Sequence, residues 1–196
     1  MIYANYLNRI LGNRTKIALL RIFCKMPDKV WTSRELARFI GTYNTTVLDN
    51  LTDFEEMDLL NISMHGHGKA IKVNKESFIF TEIVRPLFEA ETMTLNRLIY
   101  DLKAMIDPKD VRLFCLFGSI AEHMEKPGSD IDIIIVTRKK GKIERLLAEK
   151  EGMIARKYGN ELSVHIFSSK EFRSKQNTPF LREARKRHIV LHGRWV

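Results

Sequence analysis

The tightest constraint in this chain lies just past its middle. Seven residues, Val111-Arg112-Leu113-Phe114-Cys115-Leu116-Phe117, read as a strand and run without a break into Gly118-Ser119. The ten residues 120–129 follow, then Asp130-Ile131-Asp132, which leads at once into a second apolar strand, Ile133-Ile134-Ile135-Val136. Glycine at 118 lets the backbone approach a triphosphate. Ser119 and the N-terminus of the helix expected after it offer a hydroxyl and amide donors, and a helix N-terminus attracts anions. Alternation along a strand puts Asp130 and Asp132 on the same face. Two carboxylates there can hold magnesium against phosphates, and a pair of ions can stabilise both the attacking and the leaving oxygen.

Further apolar segments continue this pattern: a helix over 143–158, a strand over 161–167 and a terminal strand over 189–193. The Gly-Ser, ten residues, Asp-x-Asp signature resembles the DNA polymerase beta-like nucleotidyltransferase superfamily, and its compact form is similar to the minimal nucleotidyltransferases. The likeness spans about 110–193. It implies a small mixed sheet with flanking helices, Mg2+ as cofactor and a nucleoside triphosphate as ligand, with ATP the expected one. It also implies transfer of a nucleoside monophosphate to an acceptor with release of pyrophosphate. Gly118 and Ser119 would bind the nucleotide, and Asp130 and Asp132 would be both metal ligands and catalytic. One departure matters. Active members of the superfamily generally carry a third carboxylate in the middle of the next strand, which here reads Glu161-Leu162-Ser163-Val164-His165-Ile166-Phe167. Alternation puts Glu161, Ser163 and His165 on one face, so the expected position falls on Ser163. Glu161 lies two residues early, roughly 6–7 Å along the strand, and serves as the catalytic acid only if the register shifts. His165 is open to two readings, a base or a polar surface residue.

The first 76 residues follow a different period. Ile17, Leu20, Ile22 and Phe23 recur at helical spacing from 14 to 26, and Pro27-Asp28 ends that helix. Thr32-Ser33-Arg34-Glu35 is a capping-box pattern opening a short helix that stops at Gly41. Asn44 or Thr45 can cap a third helix with Val47, Leu48, Leu51, Phe54 and Met57 as its buried stripe. Two alternating segments, 60–64 and 70–73, are joined by His65-Gly66-His67-Gly68, a hairpin tip. Its histidines read as turn residues more readily than as metal ligands. Helix, short helix, turn, longer helix and hairpin resemble the winged helix-turn-helix domains of archaeal and bacterial transcription regulators, over 14–74. That resemblance implies double-stranded DNA as a partner, with the third helix in the major groove. Tyr43, Asn44, Thr45 and Asn50 are the candidates for base edges. Arg34, Arg38, Lys69 and Lys72, joined by Arg14 and Lys16, are those for phosphates. The third helix itself carries only acidic charges, Asp49, Asp53, Glu55, Glu56 and Asp58 among them, so phosphate contacts must come from these other elements.

Charge agrees with polyanionic partners. Lys and Arg number 33 against 24 Asp and Glu, a formal +9, and both ends of the chain are basic. Apolar runs are far shorter than the roughly 20 residues a membrane span needs. Met1-Ile2-Tyr3-Ala4-Asn5-Tyr6 has neither a basic nor an apolar leader region, so a cytoplasmic protein without membrane contact is expected. Cys24 and Cys115 sit in apolar runs and read as small hydrophobes. The fold class expected is therefore α+β: a winged helix-turn-helix over 1–76, a helical linker over 77–109 and a nucleotidyltransferase fold over 110–196. In the linker, Leu95, Leu98, Ile99, Leu102, Met105 and Ile106 form an apolar stripe that either packs on the next domain or joins a homodimer. Function follows as a DNA-binding regulator whose second domain binds magnesium–nucleotide as a sensor. The alternative is an active, antitoxin-like transferase modifying a protein or small-molecule hydroxyl.

Overall fold

The computed structural model describes residues 5–65 and 68–195. Contacts divide the chain into two units, Met1–Met93 and Thr94–Val196. The leader expectation rests mainly on residues 1–4, and the histidine tip on Gly66, His67 and the side chain of His65; both lie outside the described residues.

The first unit contains helices α1 (Leu7–Leu11), α2 (Arg14–Lys25), α3 (Ser33–Ile40) and α4 (Asn44–Glu56), then strands β1 (Leu60–His65) and β2 (Gly68–Val73). Sequence periodicity missed α1, which is barely longer than one turn. Asn13 caps α2 by accepting from the Lys16 amide at 2.9 Å. The capping box forms at α3, with the Thr32 hydroxyl accepting from the Glu35 amide at 3.2 Å and the Glu35 carboxylate accepting from the Thr32 amide at 2.8 Å. Gly41, at φ +69, closes that helix in the left-handed region. At α4 the expectation fails: Tyr43 is the N-cap residue, no side chain caps it, and Asn44 and Thr45 are already inside the helix. Trp31 pairs with Ile71 through two backbone hydrogen bonds of 2.8 Å, adding a short third strand to the hairpin. Leu20, Phe23, Trp31, Leu36, Leu51 and Phe54 are fully buried in one core beneath it. Three helices with such a hairpin make a winged helix-turn-helix.

A π-helical turn, Ile79–Val84, leads into α5 (Arg85–Met105). The widened turn falls just before Pro86, which lacks the N–H that an unbroken α-helical ladder would use. Phe88 belongs to the first core, and Leu98, Leu102, Met105 and Ile106 to the second. Most of the apolar stripe is thus spent inside the chain, with Leu95 and Ile99 partly buried against the second core.

The second unit contains β3 (Val111–Phe117), the single turn α6 (Gly118–Ala121), β4 (Ile131–Thr137), α7 (Lys140–Tyr158), β5 (Leu162–Phe167), α8 (Ser169–Lys175), α9 (Pro179–Lys186) and β6 (His188–Gly193). The sheet order is β5-β4-β3-β6, with β4 parallel to β5 and β3 antiparallel to both its neighbours. Phe114, Leu116, Ile131, Ile133 and Ile135 face the core that receives α7, whereas Cys115, Phe117, Ile134 and Val136 face Phe172 of α8 and Leu181 of α9. Burial on that second face pushes the Cys115 thiol up to about 12, and burial of Cys24 in the first unit pushes it up to about 11. Among the described residues no helix is long and apolar enough to cross a membrane.

Candidate functional site

The glycine turn and the carboxylates meet at one end of β3 and β4. Phe117, the last residue of β3, pairs with Asp132, so the chain turns at Gly118 directly against that side chain. Gly118 has φ +74, and a Cβ placed on it would collide with the Asp132 carboxylate. Both its conformation and its surroundings therefore demand glycine. The helix expected after Ser119 is a single turn, so its dipole is small. Ser119 contributes mainly its partly exposed hydroxyl and the local amides.

Asp132 is partly buried and Asp130, one residue before β4, is exposed. Burial pushes the Asp132 carboxyl above the usual range. The Asp130 charge pushes it the same way, while the Ser163 hydroxyl, in hydrogen-bonding reach, and His165 pull it down. No ion pair among the described residues neutralises either aspartate. Two uncompensated oxygen ligands against a close-packed backbone turn fit a hard divalent cation, whose charge relieves both the repulsion and the burial. They do not complete a cage: among the described residues no group of three or more Asp, Glu, His or Cys converges to hold a metal.

The register of β5 fixes which of its residues stands beside Asp132. Asp132 stands opposite Ser163, and Glu161 falls before the strand, exposed, its carbonyl accepting from the Ile131 amide at 2.8 Å. No register shift brings Glu161 to Asp132; it stands level with Asp130 instead. His165 lies in ring contact with Phe180 at 4.6 Å and Phe117 at 5.8 Å, and Phe180 with Phe117 at 5.5 Å. This aromatic cluster beside Asp132 was missed by sequence reasoning. Thr178-Pro179 marks the start of α9, since Thr178 caps it and Pro179 opens it. Only tertiary packing brings Phe180 to His165.

In the first unit the candidates separate. Tyr43 is 82% exposed, Thr45 is exposed and Asn44 is half-buried, all at the open N-terminus of α4. Asn50 is withdrawn: it is buried, its Oδ1 accepts from Asn13 Nδ2 at 2.7 Å, and its Nδ2 donates to the Thr46 carbonyl at 2.6 Å. Lys16 is also buried and bonded to Asp53, so it has no charge to offer a phosphate. Arg14, Arg34, Arg38, Lys69 and Lys72 remain exposed, with Lys69 and Lys72 on opposite faces of β2.

Comparison with known proteins places this geometry. Residues 101–194 match the family described as Polymerase beta, Nucleotidyltransferase. That segment, which contains Gly118, Ser119, Asp130, Asp132 and Ser163, therefore carries a domain of nucleotidyltransferase type, a class whose members generally use divalent metals. Similar solved structures include one described as a toxin-antitoxin with AMP-PNP, at 21% identity and a TM-score of 0.34, covering 52% of this chain and 74% of that one. Another is MepR, a transcription regulator of the Staphylococcus aureus multidrug efflux pump MepA, at 15% identity and a TM-score of 0.33, covering 54% and 96%. No curated protein matches.

Proposed function

We propose that this protein is a DNA-binding regulator whose C-terminal domain binds a magnesium–nucleoside triphosphate, with ATP the expected nucleotide, as a signal and with little turnover. The observation that carries this reading is Ser163 opposite Asp132. A hydroxyl there neither takes a proton from an attacking alcohol nor adds a third charge around a metal. Contact with the nucleotide needs less. Ser119 and the turn amides bind phosphate oxygens, Gly118 keeps the backbone close, and Asp130 and Asp132 hold the cation. Magnesium, when bound, neutralises the triphosphate charge. DNA contact falls to Tyr43, Asn44 and Thr45 for base edges and to Arg34, Arg38 and the hairpin lysines for phosphates. Such partners belong to the cytoplasm.

A second reading is favoured by one observation, the exposed Glu161 level with Asp130. From there a carboxylate reaches the same end of the sheet, and the domain would be a working transferase acting on a protein or small-molecule hydroxyl. Calorimetric titration of magnesium–ATP into the wild type and into Asp130→Asn/Asp132→Asn, alongside pyrophosphate release, separates the outcomes. Binding lost in the double variant with release at background supports the sensor. Equal affinity in both removes the metal site, and rapid release abolished by Glu161→Gln hands the site to the transferase.

A further inference from the structure

Three arginines of the second unit converge without an acid. Arg112 is the second residue of β3, Arg173 lies on α8 and Arg194 follows β6, and none of them is in an ion pair among the described residues. They come from separate parts of the chain, yet they line one cavity of about 80 Å³ that Ser169 also borders, with the buried Leu113, Val136 and Phe172 as its apolar floor. The acids nearest to them in sequence are already engaged. Lys139 holds Asp110 at 2.6 Å together with Lys142, and the Glu171 carboxylate accepts from the Ser168 amide at 2.7 Å in the capping box of α8. Residues 188–195 contain no acid at all. The Ser169 hydroxyl is closed off from solvent and has no hydrogen-bond partner among the described residues. Like charges around one cavity repel, and a buried hydroxyl left unpaired costs free energy.

We propose that this cavity binds a dianionic phosphate group, free or carried on a small ester. Size, charge and donor count select it. About 80 Å³ holds a few waters and is far below the roughly 300–1,000 Å³ of a pocket for a drug-sized ligand, so a single small group fits. A phosphate monoester brings a charge of about −1.5 to −2 and three strong acceptor oxygens. Guanidinium forks match such oxygens in pairs, and three forks are more than a singly charged carboxylate can occupy. The Ser169 hydroxyl supplies a further donor, and the apolar floor lowers the local dielectric, which strengthens each charged hydrogen bond. The site is separate from the one that would hold a nucleotide. Leu113 pairs with Val136 at one end of β3 and β4, whereas Phe117 pairs with Asp132 at the other, about 13 Å along the strand. The phosphate site thus stands whether or not the nucleotide reading does.

Calorimetric titration of the full chain with inorganic phosphate, and separately with phenyl phosphate, tests this in buffer containing EDTA at constant ionic strength. Saturable binding with a dissociation constant of about 1 mM or tighter is expected. Tighter binding of inorganic phosphate identifies the free ion as the source, and tighter binding of phenyl phosphate identifies an ester. The three arginines are exposed, so replacing them leaves the core intact. Arg173→Ala and Arg194→Ala should each raise the dissociation constant about tenfold, and Arg173→Lys, which keeps the charge and loses the fork, about threefold. Asp130→Asn/Asp132→Asn should leave it unchanged. No saturable heat at about ten times the expected dissociation constant overturns the proposal. So does acetate binding as tightly as phosphate, an affinity indifferent to the arginine variants, or one lost in Asp130→Asn/Asp132→Asn, which would put the anion at the other end of the sheet.

Discussion

Acids in the winged-helix unit and acids at the end of β3 and β4 live under opposite rules. In the first unit Asp53 of α4 is clamped by Lys16 of α2 and by Arg9 of α1 at 2.8 Å, and Arg21 of α2 holds Glu91 of α5 at 2.6 Å. Hydrogen bonds from Lys16 and Arg9 hold the Asp53 carboxyl below its usual range. At the sheet end no cation among the described residues pairs with Asp130 or Asp132, and burial drives Asp132 the other way. At the two candidate sites the charges outside any ion pair among the described residues have opposite sign: Arg14, Arg34 and Arg38 in the first unit, Asp130 and Asp132 at the end of β3 and β4. Paired charges tie the first unit together; the unpaired ones are those on which the proposed contacts with a polyanion and a cation rest.

The largest change should come from adding to the unsatisfied acids. Ser163→Asp restores a carboxylate opposite Asp132, and general-base assistance is typically worth about 10²–10⁴-fold. Pyrophosphate release with magnesium–ATP and an accepted hydroxyl should rise by that order above the wild type. A wild type already active, and slowed by Ser163→Asp, would mean the open acids are complete as they stand.

Breaking a satisfied acid comes next. Asp53→Asn strands Lys16, whose side chain is 9% exposed, without its counter-charge, and should destabilise the fold by about 2–3 kcal/mol in urea titration. Because the folded carboxyl titrates below its ordinary value, the wild type keeps this stability above that value. It loses the contribution as pH falls through the lower folded value, and the variant should lack that acid-side loss.

What sequence made legible differs between the same two regions. The capping box at Thr32, the left-handed Gly41 and the strand Val111–Phe117 are local, each fixed by residues within a few positions, and each is where pattern put it. Asn50 and Lys16 looked like surface polar groups because a helical stripe shows only apolar burial. Their partners, Asn13 and Asp53, come from neighbouring helices. Phe180 was invisible for the same reason. The Ser163 position was legible because strand alternation is a local rule and β4 and β5 pair without a bulge.

The left-over cations of the first unit give a smaller effect. Neutralising Arg34 and Arg38 together should weaken duplex binding about tenfold at moderate salt, across sequences. It should also reduce the slope of log affinity against log salt by about 2, one phosphate apiece. Asn44→Ala should instead relax sequence preference with the slope unchanged. Fluorescence anisotropy across a salt series reads both. An unchanged slope in the double variant would show that these arginines face solvent and that the charge comparison does not extend to DNA.

The smallest effect is the most direct test of an unsatisfied acid. Asp132→Asn removes a charge that burial and Asp130 both oppose, so in metal-free buffer at neutral pH the variant should melt slightly higher than the wild type, by roughly a degree or two. The folded carboxyl titrates above its ordinary value. The wild type is therefore penalised at neutral pH and gains stability as pH falls through that raised value, closing the gap to the variant. Magnesium–ATP should reverse the order at neutral pH, because a ligand that binds only the folded wild type raises its stability and leaves the variant where it was. Calorimetric scans with and without magnesium–ATP decide it. If the variant is the less stable protein in both, Asp132 is held by the fold as Asp53 is, and the contrast between the two regions disappears.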